Sequence, residues 1–591
     1  MRRWLEALVS CSLCLGCDPA PQDRTPTGVV PAEIDGLVER YEALGRFSGA
    51  VAVAVDGERI FAKGYGLADR EGGRPNTVNT RFALASLTKQ FTAAAVLKLE
   101  AEGRLRVEDP VSAYLPDYPR PQGDRVTIHH LLSHTSGIPS LWRLGDGLES
   151  VEPTREAISL DELRSLFDSR DLLFEPGERF RYSNSGYVVL AAIIESVTGS
   201  SYADYLRDAL FRPLGMKDTG CGPARGDAIP YRGYPPAIKA APVEHASWSV
   251  GDGCAYSTVL DLVKWNAALR DDRLLPEGQR DKLFASHASI GPGRSYAYGW
   301  FLSEAHGRTV AHHGGAAEGI VAEMHRYRDE GLTIVALANY APRIGINPPA
   351  AIADAAAAVF FDLPFTPPPA VYEVAPEELS ALAGLYSMDG GGSLLFELDG
   401  KRLGVEDPAG ERSIFDYGVL PDPAVFEDAV EVAGEAVDAA VSGRFQQIPI
   451  CAPLDGELAP NELHDEWSQA LAGRGALHET TLSRTDRYAG EDTLIVILRL
   501  GFETGELYAA FDLTPGLEIC GWYFMEPAEY AVRSSSRRAH RVPLFPVGPD
   551  ELLADGFNHG EQGVRMVFDQ ADGESDLRLR LTGAVSRTGR R

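Results

Sequence analysis

Four prolines in the seven residues Leu363–Pro369 (Leu-Pro-Phe-Thr-Pro-Pro-Pro) divide this chain more firmly than any other feature. Proline lacks a backbone N–H and its ring fixes φ, so neither a helix interior nor a central strand tolerates such a run. It reads as a stiff connector over residues 363–376. On its N-terminal side, helical and strand patterns alternate from Pro31 to Asp362. Ser48–Val55 and Arg59–Tyr65 are β-like runs around the turn Asp56-Gly57. Phe82–Glu102 has a helical period and stops at Gly103. Ile320–Arg328 and Leu332–Asn339 read as strands joined by Asp329-Glu330-Gly331. Strands at both ends with helices between predict one α+β unit over residues 31–362 that closes on itself.

Past the connector, short alternating segments take over. Gly392–Leu398, Arg402–Val405, Gln562–Phe568 and Asp576–Thr582 have the period of antiparallel strands. Pro423–Ala440 reads as an Ala/Val/Glu helix, and Leu494–Leu500 with Leu507–Leu513 as a buried strand pair. No repeat of fixed period runs through the chain. A mainly-β region is expected in two parts, 377–422 and 536–591, with an α+β module inserted over 423–535; the alternative is one larger irregular β-domain.

Composition removes whole classes of function. With 44% hydrophobic and 24% charged residues, the 591-residue chain has ample apolar material for cores and is not wholly disordered. No apolar run approaches the ~20 residues that span a bilayer. A net charge of -29 repels nucleic acid. The start, Met1-Arg2-Arg3 followed by the mostly apolar Trp4–Gly16, has the order of an export signal. Its Leu15-Gly16-Cys17 ending resembles a bacterial lipoprotein signal, which implies lipidation at Cys17 and a tether to residue 30. Membrane attachment is then through a lipid anchor and the location periplasmic; the alternative is the unprocessed start of a cytosolic protein. Beyond that leader the cysteines are Cys221, Cys254, Cys451 and Cys520, without C-x-x-C spacing. They permit two disulfides of undetermined pairing, or four buried thiols.

Three short motifs carry chemistry. Ser86-Leu87-Thr88-Lys89 puts a serine and a lysine three apart, on one face of a helix. A desolvated lysine can take the proton of a serine hydroxyl, and a helix N-terminus presents free amides to an oxyanion. Chance supplies roughly half such a match in a chain of this composition. Tyr182-Ser183-Asn184, by contrast, arises by chance in about one chain in fifty. A tyrosine beside an ammonium is favoured as phenolate and shuttles protons, while an asparagine amide orders the lysine and donates to a substrate carbonyl. His312-His313-Gly314-Gly315 offers glycines on a strand rim, where a substrate backbone approaches closely.

In this order the three motifs resemble those of the serine β-lactamase and penicillin-binding-protein superfamily, in its class C-like branch. Ile128–Ile138, Phe174–Glu178, Ser257–Leu262 and Tyr298-Gly299-Trp300 resemble further stretches of that family. The resemblance implies an antiparallel sheet with a helical subdomain, and an acyl-enzyme on Ser86. Lys89 and Tyr182 would manage protons, Asn184 would hold Lys89 and substrate, and the oxyanion would lie between the amides of Ser86 and Gly315. His312 would replace the lysine of the usual Lys-Thr-Gly motif, with Gly314 beside the substrate. That His-x-Gly form is shared by related esterases and D-amino-acid peptidases. The implied activity is therefore hydrolysis of esters or D-amino-acid peptides in preference to β-lactams, on a small-molecule or peptide substrate, with no cofactor. The alternative is a penicillin-recognising sensor that acylates without turnover. Leu379–Tyr386 resembles the start of a lipocalin-like β-domain that often follows this hydrolase domain.

Other polar residues read as structural. His130 and His134, four apart, have no carboxylate partner nearby, and no metal is expected there. Thr258 with Asp261 reads as a helix cap.

Overall fold

The computed structural model describes residues 29–142, 155–222, 226–233, 238–291, 293–341 and 347–371. Beyond these it describes the strands named below and a short helix at 432–437. The sequence expectations for Cys17, the leader and most of Pro423–Ala440 lie outside the described residues.

An eight-stranded antiparallel sheet forms the spine of the N-terminal unit. Its strands in chain order are β1 Gly49–Val55, β2 Glu58–Tyr65, β3 Ala288–Gly291, β4 Arg294–Tyr296, β5 Phe301–Ala305, β6 Arg308–Ala317, β7 Ile320–Tyr327 and β8 Leu332–Ala338. The spatial order is β3-β4-β5-β6-β7-β8-β1-β2, so the first hairpin pairs with the last strand, as Gly49↔Ala338 through Val55↔Leu332. Alternation then sends successive residues to two different cores. Val51, Val53, Val310 and Ile334 meet the helices α1 Val29–Ala43 and α5 Pro348–Phe361. Ala50, Ala52, Ala311 and Val335 meet a helical layer built around α2 Thr88–Ala101, α3 Asn184–Thr198 and α4 Val259–Ala268.

Helix α2 is buried nearly all round, its polar Thr88, Lys89, Gln90 and Thr92 included, because it runs through the middle of that layer. Phe91 sets edge-on contacts with Trp265 at 4.7 Å and Phe211 at 5.0 Å, each worth about 0.5–1.5 kcal/mol beyond area burial. The helix begins later than the period of Phe82–Glu102 suggests. Phe82–Ala83 is a short strand paired with Tyr256 and Ser257, and Leu84 N–H is bonded to Ala255 O. A one-turn 3₁₀ helix, Ala85–Leu87, then leads into α2.

The connector leaves α5 at Asp362, and Arg40 of α1 donates to the Pro368 carbonyl at 3.0 Å. Beyond it, eight strands close a barrel: Gly384–Met388, Ser393–Asp399, Arg402–Glu406, Val542–Gly548, Glu551–Ala554, Val564–Gln570, Leu577–Thr582 and Arg587–Arg590. Pairing of Ser387 with Arg590 completes the ring. In sequence, between the third and fourth of these, stands a four-stranded antiparallel meander, Leu477–Arg487, Leu494–Phe502, Gly505–Leu513 and Ile519–Met525. Among the described residues no helix is long and apolar enough to cross a membrane.

Candidate active site

Ser86 lies in the 3₁₀ turn where a strand end is forced into a helix. The preceding Ala85 has φ 45°, a left-handed conformation that costs a non-glycine residue about 1–3 kcal/mol. The turn is held from both sides. Ala255 N–H donates to Thr88 Oγ1 at 3.0 Å, and β6 presses on it at Gly315. A side chain at Gly315 would begin 2.1 Å from Leu84 O and 3.1 Å from Ser86 N, so only glycine permits this approach. The backbone of β6 at Gly315 thus runs beside Leu84 and the turn that carries Ser86.

Lys89 follows one turn after Ser86 and is fully buried. Its Nζ lies 3.1 Å from Ser86 Oγ, and it donates to Asn184 Oδ1 at 2.8 Å and to the Asp252 carbonyl at 3.0 Å. Burial disfavours the ammonium and pushes the lysine down to about 8, with the Asp252 charge working the other way. A neutral amine has two hydrogens and one lone pair. The three contacts match the three hydrogens of the ammonium; when one proton is lost, the bonds to Asn184 and Asp252 can be kept and the lone pair turned to Ser86 Oγ, which is the arrangement a general base requires.

Tyr182 completes the group in a different protonation state from the one its neighbours suggested. Its hydroxyl is hydrogen-bonded to Ser86, and burial holds the phenol well above its ordinary range. The Lys89 ammonium lies over the ring face, 4.8 Å from the centroid, rather than against the oxygen. Burial thus works against the phenolate expected from sequence and favours the phenol, the form that can give a proton. Asn184 sits at the N-terminus of α3, its N–H bonded to Ser140 Oγ at 2.9 Å and its Nδ2 to Leu141 O at 3.2 Å, so the side chain that orders Lys89 is itself fixed.

The third motif falls one residue later than its spacing suggested. Along β6, Ala311, His313 and Gly315 face the catalytic layer. His313 is buried, its ring centroid 6.2 Å from that of Tyr182 and its Nε2 3.1 Å from Tyr296 Oη. Alternation turns His312 and Gly314 to the opposite face. There His312 Nδ1 is 3.7 Å from Glu323 Oε1, and a Gly314 side chain would meet Glu323 Oε2 at 2.9 Å. Of the pairs in this motif, His313 and Gly315 lie on the side of Tyr182 and Ser86, and His312 and Gly314 on the side of Glu323. Both nitrogens of His313 are engaged, since Nδ1 is also 2.6 Å from Gly314 O. Burial, then the charge of Lys89, pushes this imidazole down to about 3, and it is neutral.

The other histidines of the sequence reading are structural. His130 shares a capping box with Thr127, and His134 accepts from Ser183 N–H at 3.1 Å while its ring lies 4.1 Å from that of Tyr182. Thr258 caps α4 by accepting from Asp261 N–H. Sequence reasoning missed Asp252, whose carbonyl holds Lys89. The glycines on either side of it were the available signal, since Gly251 has φ 89° and a side chain there would begin 2.2 Å from Tyr187 O. It also missed Tyr296. Cys221 and Cys254 form a disulfide with a Cα separation of 5.2 Å, two residues from Asp252.

The beta-lactamase family model matches residues 34–359. Penicillin-binding protein 4* of Bacillus subtilis is 35% identical over 323 residues, covering 51% of this chain and 70% of the relative. Esterase EstB of Burkholderia gladioli is 34% identical over 312 residues, covering 45% and 78%. The structure of an octameric penicillin-binding protein homologue from Pyrococcus abyssi superposes with a TM-score of 0.52 at 21% identity, over 95% of this chain and all of that one; it speaks for the fold alone.

Proposed function

The chain belongs to the beta-lactamase family and is a serine hydrolase, and we propose that it cleaves uncharged acyl esters through an acyl-enzyme on Ser86, with D-amino-acid peptides second and β-lactams last. The observation that carries this reading is Lys89 Nζ, buried 3.1 Å from Ser86 Oγ and held there by Asn184 Oδ1 and the Asp252 carbonyl. Ser86 Oγ attacks the carbonyl carbon as its proton passes to Lys89 Nζ. The oxyanion settles between the Ser86 amide and the Gly315–Ala316 backbone. The leaving alcohol takes a proton from the Tyr182 hydroxyl, which recovers one from Lys89, and water then repeats the sequence on the acyl-enzyme. Substrate preference follows from the third motif. His313 has both nitrogens occupied and presents no cation to a carboxylate, so an anionic substrate lacks the ion pair that a lysine would supply.

Two further readings extend the proposal beyond the active site. The barrel of eight strands is lipocalin-like in its closure. Export is supported by the Cys221–Cys254 disulfide, which suits an oxidising compartment; lipidation at Cys17 goes with it as a proposal, tested by whether Cys17→Ala releases the protein from membranes.

The test is labelling with a fluorophosphonate, followed by rate measurements on a short-chain ester, a D-peptide and a chromogenic cephalosporin. Ser86→Ala is expected to abolish labelling with the thermal melt nearly unchanged. Labelling that survives in that variant ends the mechanism. A cephalosporin label that never leaves the wild type identifies a sensor instead.

A further inference from the structure

Behind the third motif, on the face of β6 turned away from the catalytic layer, two histidines converge on one carboxylate. Register places His312 opposite His325 and Gly314 opposite Glu323, so His312, Glu323 and His325 share a face of the β6–β7 ladder. Glu323 Oε1 lies 3.7 Å from His312 Nδ1 and 3.3 Å from His325 Nε2, and one donor atom from each residue falls within 4.8 Å of the other two. A charge-assisted N–H···O bond would be shorter, about 2.7–2.9 Å. Ligand atoms at ~2.0–2.2 Å from a tetrahedral zinc ion stand about 3.3–3.5 Å apart. The two distances at Glu323 Oε1, 3.3 and 3.7 Å, are close to that ligand spacing.

The surroundings are arranged for it. The other carboxylate oxygen, Glu323 Oε2, accepts from Asn347 Nδ2 at 2.9 Å, and Asn347 is the residue that caps α5. A ligating carboxylate held by an outer hydrogen bond is how metal sites fix ligand orientation. Gly314 leaves the room that the carboxylate occupies. Glu323 itself is buried, 3% exposed, beneath the two histidines. The His312 side chain is 27% exposed, which leaves an entry path.

We propose that His312, Glu323 and His325 bind one divalent transition-metal ion, zinc by ligand type, with water in the fourth position. Bound there, the ion ties β6 to β7 and, through Asn347, to the start of α5. It thereby stiffens the strand that carries His313 and Gly315 without touching the substrate.

The test reads binding and is independent of the hydrolase reading. Full-length protein, stripped with a chelator and kept free of thiol reductants, is titrated with zinc by calorimetry and with cobalt(II) by visible absorption. One equivalent is expected to bind at micromolar Kd or tighter, with the intense visible bands of tetrahedral cobalt. Asn347→Ala is expected to weaken binding about 10–100-fold. Glu323→Gln and His325→Ala are expected to weaken it further, with circular dichroism showing that each variant is folded. Absence of saturable uptake by the wild type, or uptake unchanged in folded Glu323→Gln and His325→Ala, overturns the proposal.

Discussion

Lys89 Nζ stands 3.1 Å from Ser86 Oγ with its other two bonding directions taken by Asn184 and the backbone of Asp252. Helical spacing brings the lysine to the serine, but it is the two acceptors from distant parts of the chain that turn the amine. The same enclosure makes the ammonium costly, so one piece of packing both orients the base and lowers its pKa.

Activity therefore depends on an unprotonated lysine. With Lys89 lowered to about 8, kcat/KM for a neutral ester is expected to fall about tenfold per pH unit below that value and to level off above it. Lys89→Ala is expected to cost about 10²–10⁴ in kcat. Initial rates between pH 6 and 10 check this; a profile that is flat across that range refutes it.

The close approach of β6 to the nucleophile predicts an unusually damaging small substitution. Gly315→Ala places a methyl 2.1 Å from the backbone oxygen of Leu84, so the strand must move away from Ser86. We expect about 1–3 kcal/mol of lost stability and a larger proportional loss of ester turnover. Gly36→Ala in α1, where nothing lies within 4 Å, is the control and is expected to gain up to ~1 kcal/mol. Chemical denaturation of both variants measures the difference.

The two adjacent histidines are expected to separate cleanly. His313→Ala removes the ring that carries the Tyr296 and Gly314 contacts beside Tyr182, and should lower kcat by at least about tenfold. His312→Lys projects to the other face, so the ratio of cephalosporin to ester turnover should stay as in the wild type. A rise in that ratio would show that the sequence spacing, and not the strand alternation, identifies the motif.

Reduction of the Cys221–Cys254 disulfide is expected to reach the active site. Closing a loop between residues 33 apart is worth about 3–4 kcal/mol in the chain-entropy account. Because Cys254 is two residues from the carbonyl that fixes Lys89, the double serine variant should melt lower and also lose kcat at temperatures where it remains folded. A lower melt with unchanged kcat would separate the bridge from the catalytic geometry.

Much of the fold was legible because it rests on local periodicity. The runs Ser48–Val55 and Arg59–Tyr65 correspond to β1 and β2, Ile320–Arg328 and Leu332–Asn339 to β7 and β8, and Leu494–Leu500 with Leu507–Leu513 to two strands of the meander. The helix start was misjudged for a reason that is not local. Phe82–Ala83 pairs with Tyr256 and Ser257, more than 170 residues away, and Leu84 is bonded to Ala255, so the apolar period runs on through a segment that the sheet has claimed. Asp252 escaped notice because it acts through its carbonyl, which every residue has.

What the sequence by itself determined is the spacing of chemical groups along one element: a serine and a lysine one helical turn apart, and glycines where a strand must pass close to a backbone. Tertiary structure alone decided which way those groups face and in what protonation state they wait. His312 and His313 are equivalent to any reading of composition or motif, and a shift of one residue in register would exchange them. The pairing of β6 with β7 assigns His313 to the catalytic layer and His312 to Glu323. Likewise enclosure pushes the lysine's pKa down and the tyrosine's up, and enclosure is a property of the neighbours that packing supplies rather than of the residues themselves.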